Sequence, residues 1–452
     1  MGNVSVTDQI RIGCGAGFAT DRIEPAVDLV QRGELDWLVL ECLAERTIAL
    51  GQQRRLADPA AGYDPLLQRR MRALLEPLVA SGTRLVTNMG AANPVAAGRH
   101  VRAITSELGL DCGVAVVTGD DVLDRIDPAA LALEDGRPLQ EHGEIVSANA
   151  YLGADALLPA LDTGARVVIA GRTADPSLFV APLANAFGWQ PDDHDLMARA
   201  TVLGHLLECG AQVTGGYFAD PVAKPVPELA RLGFPLAEVG PDGDTVVTKL
   251  AGTGGRVDRA TVAEQLLYEI LDPAAYITPD VTADLTGVHI TETAPDRVHV
   301  NGAGGDQRPG QLKVSVGYRA GFRGEAEISY AGPGAADRAR LAGEVVRERL
   351  ATLLPEVRTD LIGVDSLHGS TFAAASDPYE CRLRVAALAG TVEAAEAVAE
   401  EVTALYTNGP AGGGGVRTST SEVLGVASTL LPRDAVTSTV TYLEPSRARP
   451  AV

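Results

Sequence analysis

Short apolar runs alternate with amphipathic stretches along the first half of the chain. The runs are rich in Val, Ile and Leu and show no clean polar alternation, which is typical of strands buried on both faces of a parallel sheet. They predict strands at residues 10–13, 36–41, 84–87, 113–117 and 166–170.

The segments between these runs have the spacing of amphipathic helices. They predict helices at residues 22–32, 43–56, 64–80, 94–108, 154–162 and 177–187. Asn93 stands before Pro94 as a candidate cap, and Pro77 predicts a kink or an early end of the third helix. Alternating strands and helices predict an α/β fold with a doubly wound, mainly parallel sheet.

The pattern changes after about residue 220. Five prolines between residues 221 and 241 predict a linker or an extended segment. Clean alternation then predicts antiparallel strands with one solvated face, at residues 287–292, 297–301, 312–318 and 324–330.

Two amphipathic helices are predicted near the end, at residues 335–354 and 392–407, with strand-like runs at 359–364 and 382–388 between them. This order indicates a ferredoxin-like α+β part. The glycine run at 409–415 predicts a flexible loop. We therefore expect an α/β domain over residues 1–220, carrying most of the site, and an α+β domain over residues 221–452.

The amino-acid composition argues against several classes of function for this chain. The chain has 59 acidic and 38 basic residues, a net charge of −21. Such a surface repels phosphate backbones and anionic lipid, so we expect neither nucleic-acid nor membrane binding. The five cysteines are odd in number and widely spaced, which argues against a disulfide framework or a structural zinc site.

The N-terminus lacks the pattern of a secretory signal, and no run approaches the roughly 18 apolar residues of a membrane span. A soluble, cytoplasmic protein is therefore expected, with a homo-oligomer as the default assembly.

The turns that follow the predicted strands are where a site is expected, because open parallel sheets bind ligands beyond the carboxyl ends of their strands. Four of these turns combine glycine with polar or charged residues, at 13–18, 88–93, 118–121 and 171–175. We expect them to meet in one crevice.

The first of these turns resembles a dinucleotide fingerprint, with Glu41 in the place of a ribose-binding acid. Phe18 stands where the third glycine belongs, and no phosphate-binding P-loop run occurs. No cofactor is therefore predicted, and Gly13 and Gly15 are instead candidates for substrate contacts through their backbone N–H groups.

Charged residues dominate two other turns. Asp120 and Asp121 suit a general base, a metal ligand or a helix cap. Arg172 has the planar guanidinium that binds a carboxylate or phosphate, and the alternative is an ion pair with Asp175. If Arg172 binds substrate, Arg172→Ala abolishes turnover at a nearly unchanged melting temperature; a large drop indicates a structural ion pair.

Other polar residues leave two interpretations open. Ser147 and Asn149 are either oxyanion donors or caps. The spacing of His205, Glu208 and Cys209 on one helix face suits a metal, but a core histidine beside a core cysteine is favoured, and we predict no metal.

Several long segments of the chain resemble the AtuA-type acyclic terpene utilisation family. The matching runs include DWLVLECLAERT, LVTNMGAANP, VVIAGRTADPSL, GHLLECGAQVTGGYF and VTKLAGTGG, and the resemblance extends from about residue 10 to about residue 424. It implies a carboxylic-acid or acyl-thioester context, since the family is named for a pathway that degrades citronellol- and geraniol-type acids as CoA thioesters. It supplies no catalytic residues. Some members carry an additional C-terminal module, which this chain, ending at Val452, is expected to lack.

These observations favour an enzyme that acts on a branched carboxylic acid or its acyl thioester through an enolate-like intermediate, as a lyase, hydratase or isomerase. Its catalytic set is Asp121 or Asp175 as base, Arg172 as the carboxylate-binding group, and Asn149, with Asn88, as oxyanion donors. The predicted substrate-binding residues are Gly13, Gly15, Asn88, Asn93, Asp120, Ser147, Gln212 and Lys249. The alternatives are a non-catalytic binding subunit of a partner enzyme and a natural-product tailoring enzyme.

Overall fold

The computed structural model describes residues 9–369 and 378–445. Its strands, in chain order, are β1 (Ile10–Ala16), β2 (Trp37–Leu40), β3 (Arg84–Thr87), β4 (Val114–Thr118), β5 (Glu144–Ala150), β6 (Val167–Ile169), β7 (Pro235–Val239), β8 (Thr245–Lys249), β9 (Tyr276–Ile277), β10 (Thr282–Asp284), β11 (His289–Ala294), β12 (Arg297–Asn301), β13 (Gly304–Asp306), β14 (Gln311–Ala331), β15 (Arg358–Ile362), β16 (Glu380–Ala389), β17 (Gly414–Pro432) and β18 (Thr439–Leu443). Its α-helices are α1 (Glu24–Arg32), α2 (Glu45–Ala57), α3 (Leu67–Ser81), α4 (Pro94–Glu107), α5 (Ala154–Asp162), α6 (Ser177–Phe187), α7 (His194–Glu208), α8 (Arg259–Leu267), α9 (Ala335–Leu350) and α10 (Val392–Asn408).

The chain divides into two compact units. The first contains the residues up to 136, residues 147–316 and the residues from 426 onward, and the second contains residues 137–146 and 317–425. The boundary expected at residue 220 falls inside the first unit, because the strands that follow it extend the sheet of the first unit.

That sheet has ten strands in the order β11-β12-β8-β7-β1-β2-β3-β6-β4-β18. Its five central strands, from β1 to β4 in this order, are parallel. The flanking strands are antiparallel, with β7 paired to β1 on one side and β18 paired to β4 on the other. The first unit is therefore an α/β structure with a large mixed sheet, parallel at its centre.

Helices cover both faces of this sheet, and each central strand contributes side chains to two hydrophobic cores, one on each face. In β2, Trp37 and Val39 pack in the core that also holds residues of α5, α6 and α7. Leu38 and Leu40 pack in the core with α1, α3 and α4. Because successive side chains of a strand point to opposite faces, burial on both faces explains why these strands are apolar throughout.

The second unit contains the order strand, helix, strand, strand, helix, strand. In its sheet, β15, β16, β14 and β17 are neighbours in that order, and β5 also pairs with β14. Its core contains Ile328 and Leu383 from the sheet, Val346 from α9 and Val398 from α10. It is an α+β unit, as the alternating pattern predicts.

Two predictions about local structure are corrected: an early end of α3 at Pro77, and two separate strands at residues 312–318 and 324–330. Pro77 does not end α3, which continues to Ser81, because Leu74, Leu75 and Leu78 are buried in the core and packing outweighs the lost hydrogen bond. The runs 312–318 and 324–330 form one strand, β14, because Gly321 takes a φ of 112° without interrupting it.

The proline-rich segment is not only a linker. Pro235 is the first residue of β7, a position that tolerates a missing backbone N–H. Thr248 and Lys249 end β8. The predicted flexible loop at residues 409–415 is shorter than expected, because β17 begins at Gly414. No helix in the described part of the chain combines the length and apolarity needed to cross a membrane.

Candidate functional site

The carboxyl ends of four neighbouring parallel strands carry buried polar residues. Glu41 follows β2, Asn88 follows β3, Arg172 comes after β6 and Asp120 comes after β4. These strands are adjacent in the order β2, β3, β6, β4. Three of the four glycine-bearing turns therefore meet at one edge of the sheet.

The fourth turn was predicted at residues 13–18. Most of this segment is strand instead, because β1 continues through Ala16. Gly13 and Gly15 lie inside this strand, where a Cβ atom would come within 2.8 Å of Leu35 and of Ala26, respectively. Their smallness serves close packing against neighbouring side chains. The backbone N–H of Gly17 donates to Asp21 Oδ2 at 2.8 Å, so it is not directed at a ligand.

Asn88 and Glu41 form the first part of a buried polar network. Asn88 Nδ2 donates to Glu41 Oε1, and Asn88 Oδ1 accepts from the backbone N–H of Cys42, both at 2.8 Å. Glu41 also accepts from the N–H of Leu43 at 2.8 Å. Burial raises the pKa of Glu41, and the hydrogen bond from Asn88 and the charge of Arg172 oppose this shift. The Asn88 amide thus has internal partners on both of its polar atoms.

Asp120 and Asn149 form the second part. Asp120 Oδ2 accepts from Asn149 Nδ2 and from the backbone N–H of Arg172, both at 2.9 Å. Asn149 Oδ1 accepts from Gln52 Nε2 at 3.0 Å. Burial raises the pKa of Asp120 to about 6, against the effect of these hydrogen bonds. Ser147 is buried on the same strand, two residues before Asn149.

Arg172 joins the network to the site. Its side chain is 1% exposed, Nη2 lies 2.5 Å from Asp175 Oδ1, and Nη1 donates to the carbonyl of Leu43. The guanidinium lies 4.1 Å from the ring centre of Tyr151. Burial alone lowers the pKa of Arg172, but nearby acidic groups, led by Asp175, raise it above its usual value. The alternative of an ion pair with Asp175 is the one observed, so Arg172 positions Asp175.

Asp175 lies on the wall of a cavity of about 610 Å³. The residues that line this Asp175 cavity all belong to the first unit: Tyr151, Ala174, Asp175, Pro176, Tyr276, Ile277, Thr278, Pro279, Pro309, Gly310, Gln311, Leu312, Lys313 and Leu430. The Asp175 side chain is one-third exposed. Burial raises its pKa, and the charge of Arg172 opposes that shift. An anchored carboxyl therefore borders a mainly apolar space.

Tyr151, Glu45 and Lys313 form a second polar group beside it. The Tyr151 hydroxyl donates to Glu45 Oε1, and Lys313 Nζ lies 3.1 Å from the same oxygen. Lys313 Nζ also lies 5.0 Å from the Tyr151 ring centre. Burial alone raises the pKa of Glu45, but the Tyr151 hydrogen bond and the Lys313 charge lower it to about 2. Glu45 is therefore a carboxylate that holds both neighbours.

Sequence reasoning missed Tyr151 and Lys313. Tyr151 is two residues after Asn149, a predicted site residue. This short distance along the chain could have identified Tyr151 as a further candidate. Lys313 occupies an outward-facing position of an alternating strand, and the sequence around it is the same as expected for a lysine exposed to solvent.

His205 and Glu208 lie next to the cavity lining. His205 Nδ1 is 3.2 Å from Glu208 Oε1, and the ring centres of His205 and Tyr276 are 5.3 Å apart. His205 is thus a buried histidine paired with an acid of its own helix. Across residues 9–369 and 378–445, no group of three or more His, Cys, Asp or Glu side chains is arranged to hold a metal ion.

Four of the predicted residues have structural partners elsewhere. Asp121 is half-exposed and paired with Arg55 at 3.2 Å. Asn93 caps α4, as its alternative role predicts, by accepting from the N–H of Ala96 at 3.2 Å. None of these side chains lines the Asp175 cavity.

The other two are Gln212 and Lys249. Gln212 lies close to Tyr268 and opposes the burial that raises the pKa of its hydroxyl group. Lys249 is buried, donates to the carbonyl of Thr253 at 3.0 Å and lies 3.1 Å from Asp296 Oδ2. Lys249 therefore stabilises the end of β8.

Comparison with known proteins agrees with the resemblance found in the sequence. The family model described as acyclic terpene utilisation family protein AtuA matches residues 10–442, nearly the full length. No curated protein matches the chain. No solved structure matches it either.

Proposed function

Because the chain belongs to the AtuA acyclic terpene utilisation family, we propose that it is an enzyme acting on a branched, acyclic carboxylic acid or its acyl thioester. The proposed chemistry is that of a lyase, hydratase or isomerase working through an enolate-like intermediate. One observation carries the proposal: a carboxyl, Asp175, is anchored by a fully buried arginine at the wall of a mainly apolar cavity of about 610 Å³.

Asp175 is the proposed acid–base group. Its carboxylate removes a proton from the carbon next to the substrate carbonyl, so that a C–H bond breaks, an O–H bond forms and the electron pair moves to the carbonyl oxygen. Burial raises the pKa of Asp175, which makes its carboxylate a stronger base than an exposed one. Arg172 fixes the carboxyl without contacting the substrate.

Lys313 is the proposed partner of the developing oxyanion. It lines the same cavity, and Glu45 occupies only one of the donors that an ammonium group provides. A well-placed oxyanion donor contributes about 3–4 kcal/mol to lowering the barrier. The Tyr151 hydroxyl is committed to Glu45, so Tyr151 positions Lys313 and Arg172 through its ring.

The rest of the cavity suits a branched hydrocarbon chain. Its lining is formed largely by Pro176, Ile277, Pro279, Leu312 and Leu430. Such cavities bind ligands through apolar surface and take their orientation from a few polar groups. Here the charged groups are Asp175 and Lys313, with Thr278 and Gln311 as further polar side chains of the lining.

Isotope exchange tests this proposal directly. The protein is incubated in D₂O with geraniol- and citronellol-type acids and with their CoA thioesters, and incorporation of deuterium next to the carbonyl is followed by mass spectrometry. We expect exchange with the wild type and a loss of about 10²–10⁴-fold in Asp175→Asn.

Asp121→Asn serves as the comparison, since the sequence leaves Asp121 or Asp175 as the base. We expect Asp121→Asn to retain exchange, because its side chain is paired with Arg55 and does not line the cavity. Exchange that survives in Asp175→Asn and disappears in Asp121→Asn contradicts the assignment.

We also propose the finer descriptions of fold and assembly. The helices on both faces of the mixed sheet support a doubly wound first unit, and the element order of the second unit supports a ferredoxin-like arrangement. The net charge of −21 supports a protein that does not bind nucleic acid. The remaining proposals are a small-molecule ligand, a cytoplasmic location and a homo-oligomeric assembly.

A further inference from the structure

A separate cavity of about 300 Å³ lies beside α2, at the turns that follow β2 and β3. Its lining, all within the first unit, is Ala19, Thr20, Cys42, Leu43, Thr47, Leu50, Arg54, Asp64, Pro65, Leu66, Asn88, Met89 and Ala91. It is referred to here as the Arg54 cavity. Most of its surface is apolar, so its few polar groups decide which ligand it favours.

Arg54 is the cation of this cavity. Its Nε atom is buried and has no hydrogen-bond partner, and within the described ranges no carboxylate lies at ion-pair distance from its guanidinium. The next residue differs: Arg55 donates to the carbonyl of Ala92 at 2.8 Å and pairs with Asp121 at 3.2 Å. Asp64 acts on Arg54 through its charge but forms no ion pair with it, so the guanidinium keeps hydrogen-bond donors that favour an anionic ligand.

Asp64 provides a second polar contact. It is buried, its Oδ1 accepts from the N–H of Leu66 at 2.7 Å, and burial raises its pKa against the charges of Arg70 and Arg54. Asp64 therefore lies beside Arg54 in the cavity, with its own backbone partner, and Arg54 supplies the donors for an anion.

We propose that the Arg54 cavity binds an alkyl carboxylate. The ligand carboxylate contacts Arg54, and its hydrocarbon chain packs against Leu50, Met89 and Ala91. This site is distinct from the Asp175 cavity, and the inference holds whether or not the proposed reaction is correct.

The two cavities share structural elements. Leu43 lines the Arg54 cavity, and its carbonyl accepts from Arg172, which anchors Asp175. Asn88 lines the Arg54 cavity and holds Glu41 in the same network. The Arg54 cavity therefore lies beside residues of the network that includes Arg172.

Methionine NMR provides the test, with octanoate as the probe. The chain contains four methionines, and Met89 is the one that lines the Arg54 cavity. With ¹³C-methyl-labelled methionine and a Met89→Leu variant for assignment, octanoate is expected to shift the Met89 signal saturably. Arg54→Gln should weaken this binding at least about tenfold, and the matched Arg55→Gln should leave it within about twofold.

The outcomes are separable from folding and from the proposed function. The signals of the buried Met71 and Met197 report whether Arg54→Gln is folded. Octanol is tested on the wild type alone, and it should shift the Met89 signal much less than octanoate does. An unshifted Met89 signal, equal shifts with octanol, or undiminished binding by Arg54→Gln overturns the inference. None of these results bears on deuterium exchange at the Asp175 cavity.

Discussion

The buried polar network and the wall of the Asp175 cavity meet at one ion pair but differ in almost every other respect. In the network, Asn88, Asp120 and Asn149 are buried, and their side chains form hydrogen bonds with other residues of the protein. At the wall, Asp175 is one-third exposed and Lys313 is 43% exposed. The residues of the network bind one another, whereas Asp175 and Lys313 place charged groups at the surface of the cavity.

This difference separates stability from chemistry. A buried polar group with its partner removed costs free energy, whereas an exposed ion pair contributes little. We therefore expect substitutions in the network to change the free energy of unfolding, and substitutions at the wall to change turnover. Four measurements test this separation, from the largest expected change in unfolding free energy to the smallest.

Arg172→Met should have the largest effect. It leaves Asp175 and the buried Leu43 carbonyl without their partner, at a cost of about 3 kcal/mol, the lower end of the range for a buried ion pair because Asp175 is partly exposed. Urea denaturation measures this loss. A cost below about 1 kcal/mol would restore the original hypothesis that Arg172 is a substrate-binding group with little structural role.

Asn88→Ala should come second. It leaves Glu41 and the N–H of Cys42 without a partner in a buried setting, at a cost of about 1–3 kcal/mol. Asn185→Ala is the control, because Asn185 bonds Asp162 at the surface and should change stability by less than about 0.5 kcal/mol. Equal effects of the two changes would mean that the network is not a stabilising unit.

The third test is the pH dependence of stability. The pKa of Asp120 is raised to about 6 in the folded protein, so the folded state holds this proton more tightly than the unfolded state. Its contribution to stability therefore falls as the pH rises from about 4 to about 6, by on the order of 1–2 kcal/mol.

Asp120→Asn should remove this part of the pH dependence, because its side-chain oxygen still accepts hydrogen bonds but does not ionise. Unfolding free energies at pH 4 and pH 7 measure the change. An unaltered difference between the two pH values in the variant would show that Asp120 does not titrate in this way.

Lys313→Gln should have the smallest effect on stability, within about 1 kcal/mol, because the Lys313–Glu45 pair is partly solvated. Its effect on turnover should be large, with kcat and kcat/KM lowered together by about 10²-fold, as expected for a donor used in the transition state. A rise in KM at constant kcat would instead indicate binding in the ground state alone.

The sequence predicted the central sheet well, because burial on both faces leaves a direct signal. The strand at residues 84–87 and the helix at 177–187 agree with β3 and α6 to the residue. The outer strands were harder to predict: β7 begins with a proline, and β8 leads directly into a glycine-bearing segment. Pairing of β7 with β1, and of β8 with β7, makes them strands.

The sequence predicted the location of the site better than it predicted the role of each residue. Asn88, Asp120 and Arg172 were found because they follow strands of one sheet, but the sequence does not reveal that their polar atoms face one another. Lys313 and Tyr276 reach the Asp175 cavity from segments far along the chain. Their contribution depends on long-range packing, which local patterns do not encode.

A structure determined with a branched terpenoid thioester bound tests the central claim most directly. We predict that the hydrocarbon chain lies along Pro279 and Leu312, with the carbonyl oxygen at Lys313 Nζ and the adjacent carbon facing the Asp175 carboxyl. A ligand bound outside the Asp175 cavity, or one that presents its carbonyl away from both Asp175 and Lys313, would contradict the account.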